Sequence, residues 1–501
     1  MENKENKYYI TIGLEIHAEL KTNSKMFCSC ANVPLEEAPN KNVCPICMAH
    51  PGTLPTLNKE AIRKMIEIGL YIDANIANFT EWDRKHYFYP DIPKAYQLTQ
   101  YKYPIVSGGE INDWPLTRIH LEEDTAKSTH DKGNHTLIDF NRSGLPLMEL
   151  VTDIQTFDDI EMAAKACSSF AKELQLILRT LDASEAEMSK GQMRIEVNLS
   201  VSKDKNKFGT KVEVKNINSF KSVEDSVRYE AKRHIELIEE GRENEIIQET
   251  RGFEENKRIT VSQRKKETAN DYKYFPDPDL PKLYLHSIFD LENIKNNLPE
   301  KLSNIRIELK EIEIKEEYIE LLLNNITLFR YFNDIKKEVQ SHNFEKEKEN
   351  KLINLSVNYI CVDISSILQK EDREKLIHLI LKEDFLQIME MLNNNELSSR
   401  GAKDLILFMM TDMPNDTNLE MSEGDMDARQ IAEMKGFIQK NDKESLNAII
   451  DIVIENNKEQ WEELKSGNEK LLMYFVGQAM KESKGSGNPQ LFTEIIKEKT
   501  K

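Results

Sequence analysis

Four of the six cysteines stand in two close pairs, Cys28-Ser29-Cys30 and Cys44-Pro45-Ile46-Cys47. The second pair has the two-residue gap of a zinc knuckle. The one-residue gap of the first is tighter than usual but still usable in a tetrahedral four-thiolate site. Four unrelated free thiols are the bland alternative. If all four bind one zinc ion, no ligand position stays open and the site is structural. It would pin the loop between the first strand and the Pro51-Gly52 turn.

A second set of residues is acidic. Glu15 and His17 alternate with Leu14, Ile16 and Ala18, so the acid and the imidazole share one face of a strand. Glu122-Glu123-Asp124 form an acidic run at the end of an alternating segment, and Glu149 follows the stretch Asn141 to Met148. Glu196 and Glu213 sit in mid-strand among apolar neighbours. Taken singly, such an acid usually faces solvent. Several strands of one region all carrying one raise the alternative of a shared cation. Oxygen-rich ligation with a single imidazole suits Mg²⁺ better than zinc. Pattern alone leaves both readings open.

Two segments combine aromatic, basic and proline residues: Asp83 to Gln97 and Asn270 to Leu280. Either they are packed loops anchored by buried rings, or they form a rigid rim with Lys and Arg facing an anion. There is no phosphate loop of the Walker type and no Gly-rich dinucleotide fingerprint, so any ATP site belongs to another fold.

The elements that must position these residues are strands in the first part of the chain. Residues 8–20, 118–124, 194–200 and 211–215 read as strands. Amphipathic helices are expected over about 158–181 and 223–240, the second stopping at Gly241. This predicts an α+β fold: a strand-rich cradle domain with flanking helices over 1–292, a helical domain over 293–395 and a small all-α tail over 396–501. A polar run from Ser341 to Lys351 reads as an exposed loop. No internal repeat is evident.

The net charge of −19 argues against wide, non-specific phosphate binding, which needs a basic surface. A local basic patch or a partner protein can still serve RNA. No stretch approaches the ~18 consecutive apolar residues of a membrane helix. The polar N-terminus, Met1 to Lys7, lacks the apolar core of a signal peptide. A cytoplasmic location without membrane association is therefore expected. In a reducing compartment, clustered cysteines point to metal rather than disulfides.

Together these segments resemble the B subunits of the aspartyl/glutamyl-tRNA amidotransferases. The matching stretches are Gly13-Leu14-Glu15-Ile16-His17, Cys44-Pro45-Ile46-Cys47, Pro51-Gly52-Thr53-Leu54-Pro55 and Arg84-Lys85-His86-Tyr87-Phe88-Tyr89-Pro90-Asp91. They continue with His120-Leu121-Glu122-Glu123-Asp124, Asp139 to Gly144, Lys215 to Phe220 and Gln248-Glu249-Thr250-Arg251. Val476 to Lys481 and Lys484 to Pro489 match the family's tail. The resemblance is dense to about residue 290, loose from 293 to 395 and moderate in the tail.

The resemblance implies a heterotrimeric complex with an amidase, the A subunit, and a small C subunit. The amidase releases ammonia from glutamine. The B subunit uses ATP to phosphorylate the side-chain carboxylate of Glu on tRNA(Gln) or Asp on tRNA(Asn), and ammonia arriving through a tunnel displaces the phosphate. It also implies Mg²⁺ held by Glu15, His17, Glu123, Glu149, Glu196 and Glu213, with Lys85 and Glu123 as catalytic residues near the tunnel exit. Cys28, Cys30, Cys44 and Cys47 match a structural zinc motif of some members, and Lys481 and Lys484 match tail positions that contact tRNA. An ordinary C-terminal turn is the alternative for that loop. Two departures stand out. Glu196 occupies a position where Asp is expected in many members, and Met434 to Asn441 replaces a Gly-Leu-rich connector.

Two rivals remain. An archaeal-type tRNA(Gln)-only enzyme carries an inserted domain for which this chain has no room. A non-catalytic tRNA-binding scaffold would not need the intact acidic set with Lys85. The sequence holds no amidase-like Gly/Ser-rich segment, so the ammonia source must be another chain.

Overall fold

Strand β1 (Tyr9–Glu19) organises the first part of the molecule. Ile10, Ile12, Leu14, Ile16 and Ala18 are buried on one face, which leaves Glu15 and His17 on the other. The computed structural model describes residues 7–33, 38–130, 133–265, 272–371, 380–411, 426–439, 442–468, 470–483 and 487–500. The chain divides into two units, Met1–Lys301 and Leu302–Lys501.

In the first unit, short strands β2 (Asp83–His86) and β3 (Tyr96–Thr99) pair with each other, and β2 also pairs with Phe275–Pro276. The longer strands are β4 (Trp114–Glu123), β5 (Pro146–Thr152), β6 (Met193–Ser202), β7 (Val212–Ile217), β8 (Glu249–Glu254) and β9 (Ile259–Lys265). They belong to an eleven-stranded sheet in the order β9-β8-β7-β6-β1-β5-β4, which ends in two short strands, while two further short strands, Gln155–Phe157 and Glu110–Ile111, pair with β1 and β4. All these pairings are antiparallel except β7 with β8.

Helix α1 (Lys59–Tyr71) begins at Asn58, whose side chain accepts from the backbone N–H of Glu60 and Ala61. Helix α2 (Ile160–Thr180) starts where Asp159 accepts from Met162 N–H, and it buries Ala163, Cys167, Phe170, Leu174 and Leu178. Helix α3 (Phe220–Glu239) begins slightly earlier than its apolar spacing suggests, because Ser219 caps it. It ends before Gly241, whose φ of 71° is the left-handed conformation glycine adopts without strain. α2 and α3 pack on one another and on β1 and β6. They cover the apolar face of the sheet, and the acidic face lies opposite.

The second unit is helical, as expected. Leu322, Leu328, Phe332, Ile335, Leu352, Phe385, Met389, Ile406 and Ile431 supply its core. The expected boundary at 395/396 falls between helices Lys382–Asn393 and Ser399–Thr411, which pack together. Gln439 N–H also donates to Glu396 C=O at 2.7 Å. A separate apolar cluster, built on Leu446, Trp461, Phe475 and Phe492, holds the last four helices.

The polar run at 341–351 is a loop only at its start. Helix Lys346–Asn358 takes up the rest, because Lys and Glu are good helix formers and Leu352, Ile353 and Val357 bury its next turns. This helical run continues to Gln369, long and apolar enough to cross a bilayer. Ile360 and Ile364 are buried as well, so in this fold it serves as a core helix.

Candidate functional site

The mid-strand acids meet. Register places Glu196 on β6 directly opposite Glu15 on β1. It places Glu149 on β5 opposite His17, and His120 on β4 opposite Glu149. Glu213 on β7 lies beyond Glu196 and accepts from Thr250 Oγ1 at 2.8 Å. Ligand atoms within 4.8 Å of one another form three overlapping sets: Glu15, Glu196 and Glu213; Glu15, His17 and Glu149; His120, Glu122 and Glu149. The row crosses five neighbouring strands, and its members Glu15, His120, Glu122, Glu149 and Glu213 line a single cavity of about 420 Å³.

His17 Nε2 lies 3.3 Å from Glu149 and 3.8 Å from Glu122, and His120 Nε2 lies 3.4 Å from Glu149. At the other end Lys215 Nζ reaches Glu196 at 2.7 Å and Glu213 at 3.8 Å. Burial, with Glu149 and Glu196 beside it, pushes the Glu15 carboxyl up to about 7. Burial and Glu149 also raise Glu122. Burial alone would lower His17, but the hydrogen bond to Glu149 and the charges of Glu149, Glu196 and Glu122 carry it up to about 10. Glu149 moves the other way: burial opposes, and His120 and His17 together hold it well below the usual carboxylate range. Burial acts to lower Lys85, yet Glu122, Tyr274 and Glu149 keep its ammonium above its ordinary value.

This donor set fits a divalent cation. Its carboxylates repel one another in a confined space, and Glu122 Oε2 is buried with no hydrogen-bond partner among the described residues. Lys85, Arg118, Lys211 and Lys215 line the same cavity and supply positive charge for phosphate oxygens.

Glu123 is not part of this row. The expectation that it shares the metal site is corrected by strand parity. Arg118, His120 and Glu122 face one side of β4, and Glu123 faces the other. There it accepts from Lys94 Nζ at 2.5 Å and from Leu98 N–H at 2.9 Å. It lines a second cavity of about 290 Å³ with Cys28, Cys47, His50, Lys94 and Gly144. Glu15, His17, Glu149, Glu196 and Glu213 do come together, with Lys85 among them. Sequence reasoning missed His120 and Glu122 as members of the row, although the alternation Arg118, His120, Glu122 already placed them on one face. It also missed Lys94.

The four cysteines converge, with all four Sγ atoms within 4.8 Å of one another. A zinc ion bound at about 2.3 Å to each of four tetrahedral thiolates needs sulfur atoms about 3.8 Å apart, so the arrangement suits it. The Cys28 hydrogen bond leads the effects that bring the Cys47 thiol down to about 5, while burial pushes Cys30 up to about 11. Cys44 N–H donates to Cys47 Sγ at 3.1 Å. Lys25 is fully buried, with Nζ 4.0 Å from the same sulfur and 3.2 Å from Phe140 C=O. Lys481 is exposed in the last turn of helix Leu471–Glu482. Lys484 lies outside the described residues.

Residues 10–289 match the family described as the GatB/GatE catalytic domain, and residues 342–500 match the GatB domain. A protein of Pelagibacter ubique, named as the B subunit of an aspartyl/glutamyl-tRNA(Asn/Gln) amidotransferase, is 36% identical over 100% of this chain and 98% of its own. A protein of the same name from Campylobacter jejuni is 37% identical over 98% of this chain and 99% of its own. One from Ostreococcus lucimarinus, named as the chloroplastic/mitochondrial B subunit of a glutamyl-tRNA(Gln) amidotransferase, is 36% identical over 98% and 97%.

Proposed function

The chain belongs to the family of the tRNA-dependent amidotransferase B subunits, glutamine-dependent carbon–nitrogen ligases, and we propose that it performs their ATP-dependent activation step. The substrate is Glu on tRNA(Gln), Asp on tRNA(Asn), or both, and the partners are the amidase and a small third protein of the same complex. A side-chain oxygen of the tRNA-borne carboxylate attacks the γ-phosphorus of ATP and ADP leaves. The resulting acyl phosphate turns a poor electrophile into one with a good leaving group. Ammonia then attacks the acyl carbon, phosphate departs, and one proton is lost.

The observation that carries this reading is the row of Glu15, Glu196, Glu213, His17, Glu149, His120 and Glu122 across one face of the sheet. These residues would hold Mg²⁺. When bound, the ion neutralises phosphoryl oxygens. Lys85, whose ammonium is held charged by Glu122 and Glu149, is placed to orient a phosphate from the same cavity. Glu123 and Lys94 form an ion pair on the opposite side of β4, and the Glu123 carboxylate is placed to accept a hydrogen bond from arriving ammonia. The cysteine set would hold zinc as a structural support.

The test is ATP cleavage dependent on Glu-tRNA(Gln) or Asp-tRNA(Asn), measured in the complex with both partner proteins, followed by assay of amidated product. Turnover with one or both charged tRNAs supports the reading. Retained tRNA binding without turnover would favour a scaffold.

A further inference from the structure

The large cavity has a divided lining. Its floor carries the acids and four cations, while its aromatic side chains, among the described residues, are Tyr101, Tyr272 and Tyr274. Tyr101 and Tyr274 stack face to face, with ring centroids 4.2 Å apart and planes inclined by 13°. Tyr272 meets Tyr274 edge-on at 6.2 Å, and Lys85 Nζ lies 5.1 Å from the Tyr272 ring.

Both stacked rings are carried by backbone tied to β2. Asp83, itself buried, accepts from the N–H groups of Tyr101 at 2.9 Å and Lys102 at 3.2 Å. Phe275 and Pro276, directly after Tyr274, pair with Arg84 and Asp83. The pair is thus held in place before any ligand arrives, yet Tyr101 is 49% exposed. A rigid, half-exposed aromatic face at the edge of a charged cavity adds little to the core. It does match a nucleotide, which also divides into an anionic tail and a flat apolar base. The spacing of 4.2 Å leaves no room for a ring between the tyrosines, so a base must lie on the outer face of Tyr101, with Tyr274 as its backing.

We infer that the Tyr101–Tyr274 pair is a stacking face for an adenine ring, while the phosphates lie toward Lys85, Arg118 and Lys211. This rests on the activation step proposed above. Two substrates of that step carry adenine: ATP and the 3′-terminal adenosine of the charged tRNA.

The experiment uses the assembled complex. KM is measured separately for ATP and for charged tRNA in wild type, Tyr101→Ala and Tyr101→Phe. Base stacking on an aromatic side chain predicts a rise of roughly ten-fold in one KM for Tyr101→Ala, with Tyr101→Phe close to wild type. A rise for ATP assigns the face to the nucleotide, and a rise for tRNA assigns it to the terminal adenosine. Ribose 5-triphosphate, which lacks a base, guards against general damage: on the nucleotide assignment, its competition against ATP should be the same in wild type and Tyr101→Ala. Unchanged values for both substrates in Tyr101→Ala, or equal impairment in Tyr101→Phe, overturn the stacking face. Absence of tRNA-dependent ATP cleavage in the wild-type complex would instead overturn the activation step beneath it.

Discussion

Glu122 and Glu123 are consecutive on β4, and their carboxylates end in different cavities. Glu122 stands 3.8 Å from His17 in the acidic row, whereas Glu123 is held by Lys94 beside the cysteine cluster. The two neighbours should therefore fail differently. On the proposed Mg²⁺ site, Glu122→Gln removes a direct ligand and is expected to lower tRNA-dependent ATP cleavage by about 100-fold or more, beyond what loss of an outer support costs. Glu123→Gln should retain ATP cleavage and lose coupling to amide formation. Measuring ADP and amidated tRNA in the same reaction separates them, and identical profiles for the two variants would contradict the division.

Much of this arrangement is legible in the chain. The period-two pattern of β1 isolates Glu15 and His17 because every alternate residue must be buried under α2 and α3. The spacing of Ala163, Phe170 and Leu174 marks α2 for the same reason at helical period. The run Glu122-Glu123-Asp124 is less informative. Three acids in a row carry no parity of their own, and only the phase set by Arg118 and His120 decides which enters the row. The members of the Lys94–Glu123 pair are 29 residues apart in the chain, so local spacing does not reveal it. At Lys346–Lys351 the helix propensity of Lys and Glu, together with burial of the following apolar turns, makes a helix of a charged segment that reads as a loop by polarity alone.

Glu15 facing Glu196 on adjacent antiparallel strands is an unfavourable cross-strand pair without a counter-charge. Lys215 offsets part of that repulsion through Glu196. A divalent cation should offset more. Adding Mg²⁺ to metal-free protein is expected to raise the thermal midpoint by a few degrees, on the order of 1 kcal/mol. Glu196→Gln should stabilise the metal-free protein and shrink that response. Scanning calorimetry with and without chelator checks both directions, and an unchanged Mg²⁺ response in Glu196→Gln would remove this residue from the site.

The four cysteines should bind one zinc ion per chain, detected by elemental analysis. The hydrogen bond from Cys28 leads the effects that lower the Cys47 thiol, which favours the thiolate that a cation binds. Cys44→Ser should lose zinc and lower the unfolding temperature of the first unit, because the loop from Lys25 to Pro55 then lacks its clamp. Zinc-free wild-type protein with unaltered stability would contradict a structural role.

Glu230 on α3 offers a stability test remote from the acidic row. It is fully buried, accepts from Thr260 Oγ1 at 2.6 Å, contacts Arg233 and lies 3.2 Å from His234. Burial opposes its ionisation, yet the close approach of His234, the hydrogen bond and charge of Arg233 and the Thr260 hydroxyl bring its carboxyl down to about 2. A carboxyl depressed on folding stabilises the protein above its unfolded value near 4.5 and loses that contribution as pH falls toward 2. The shift corresponds to about 3 kcal/mol at neutral pH. In Glu230→Gln that contribution is absent, so urea unfolding at pH 7 should show a comparable loss, and the gap to wild type should narrow steadily between about pH 4.5 and pH 3. A gap that stays constant over this range would mean that packing, rather than the ionised carboxylate, joins α3 to β8 and β9.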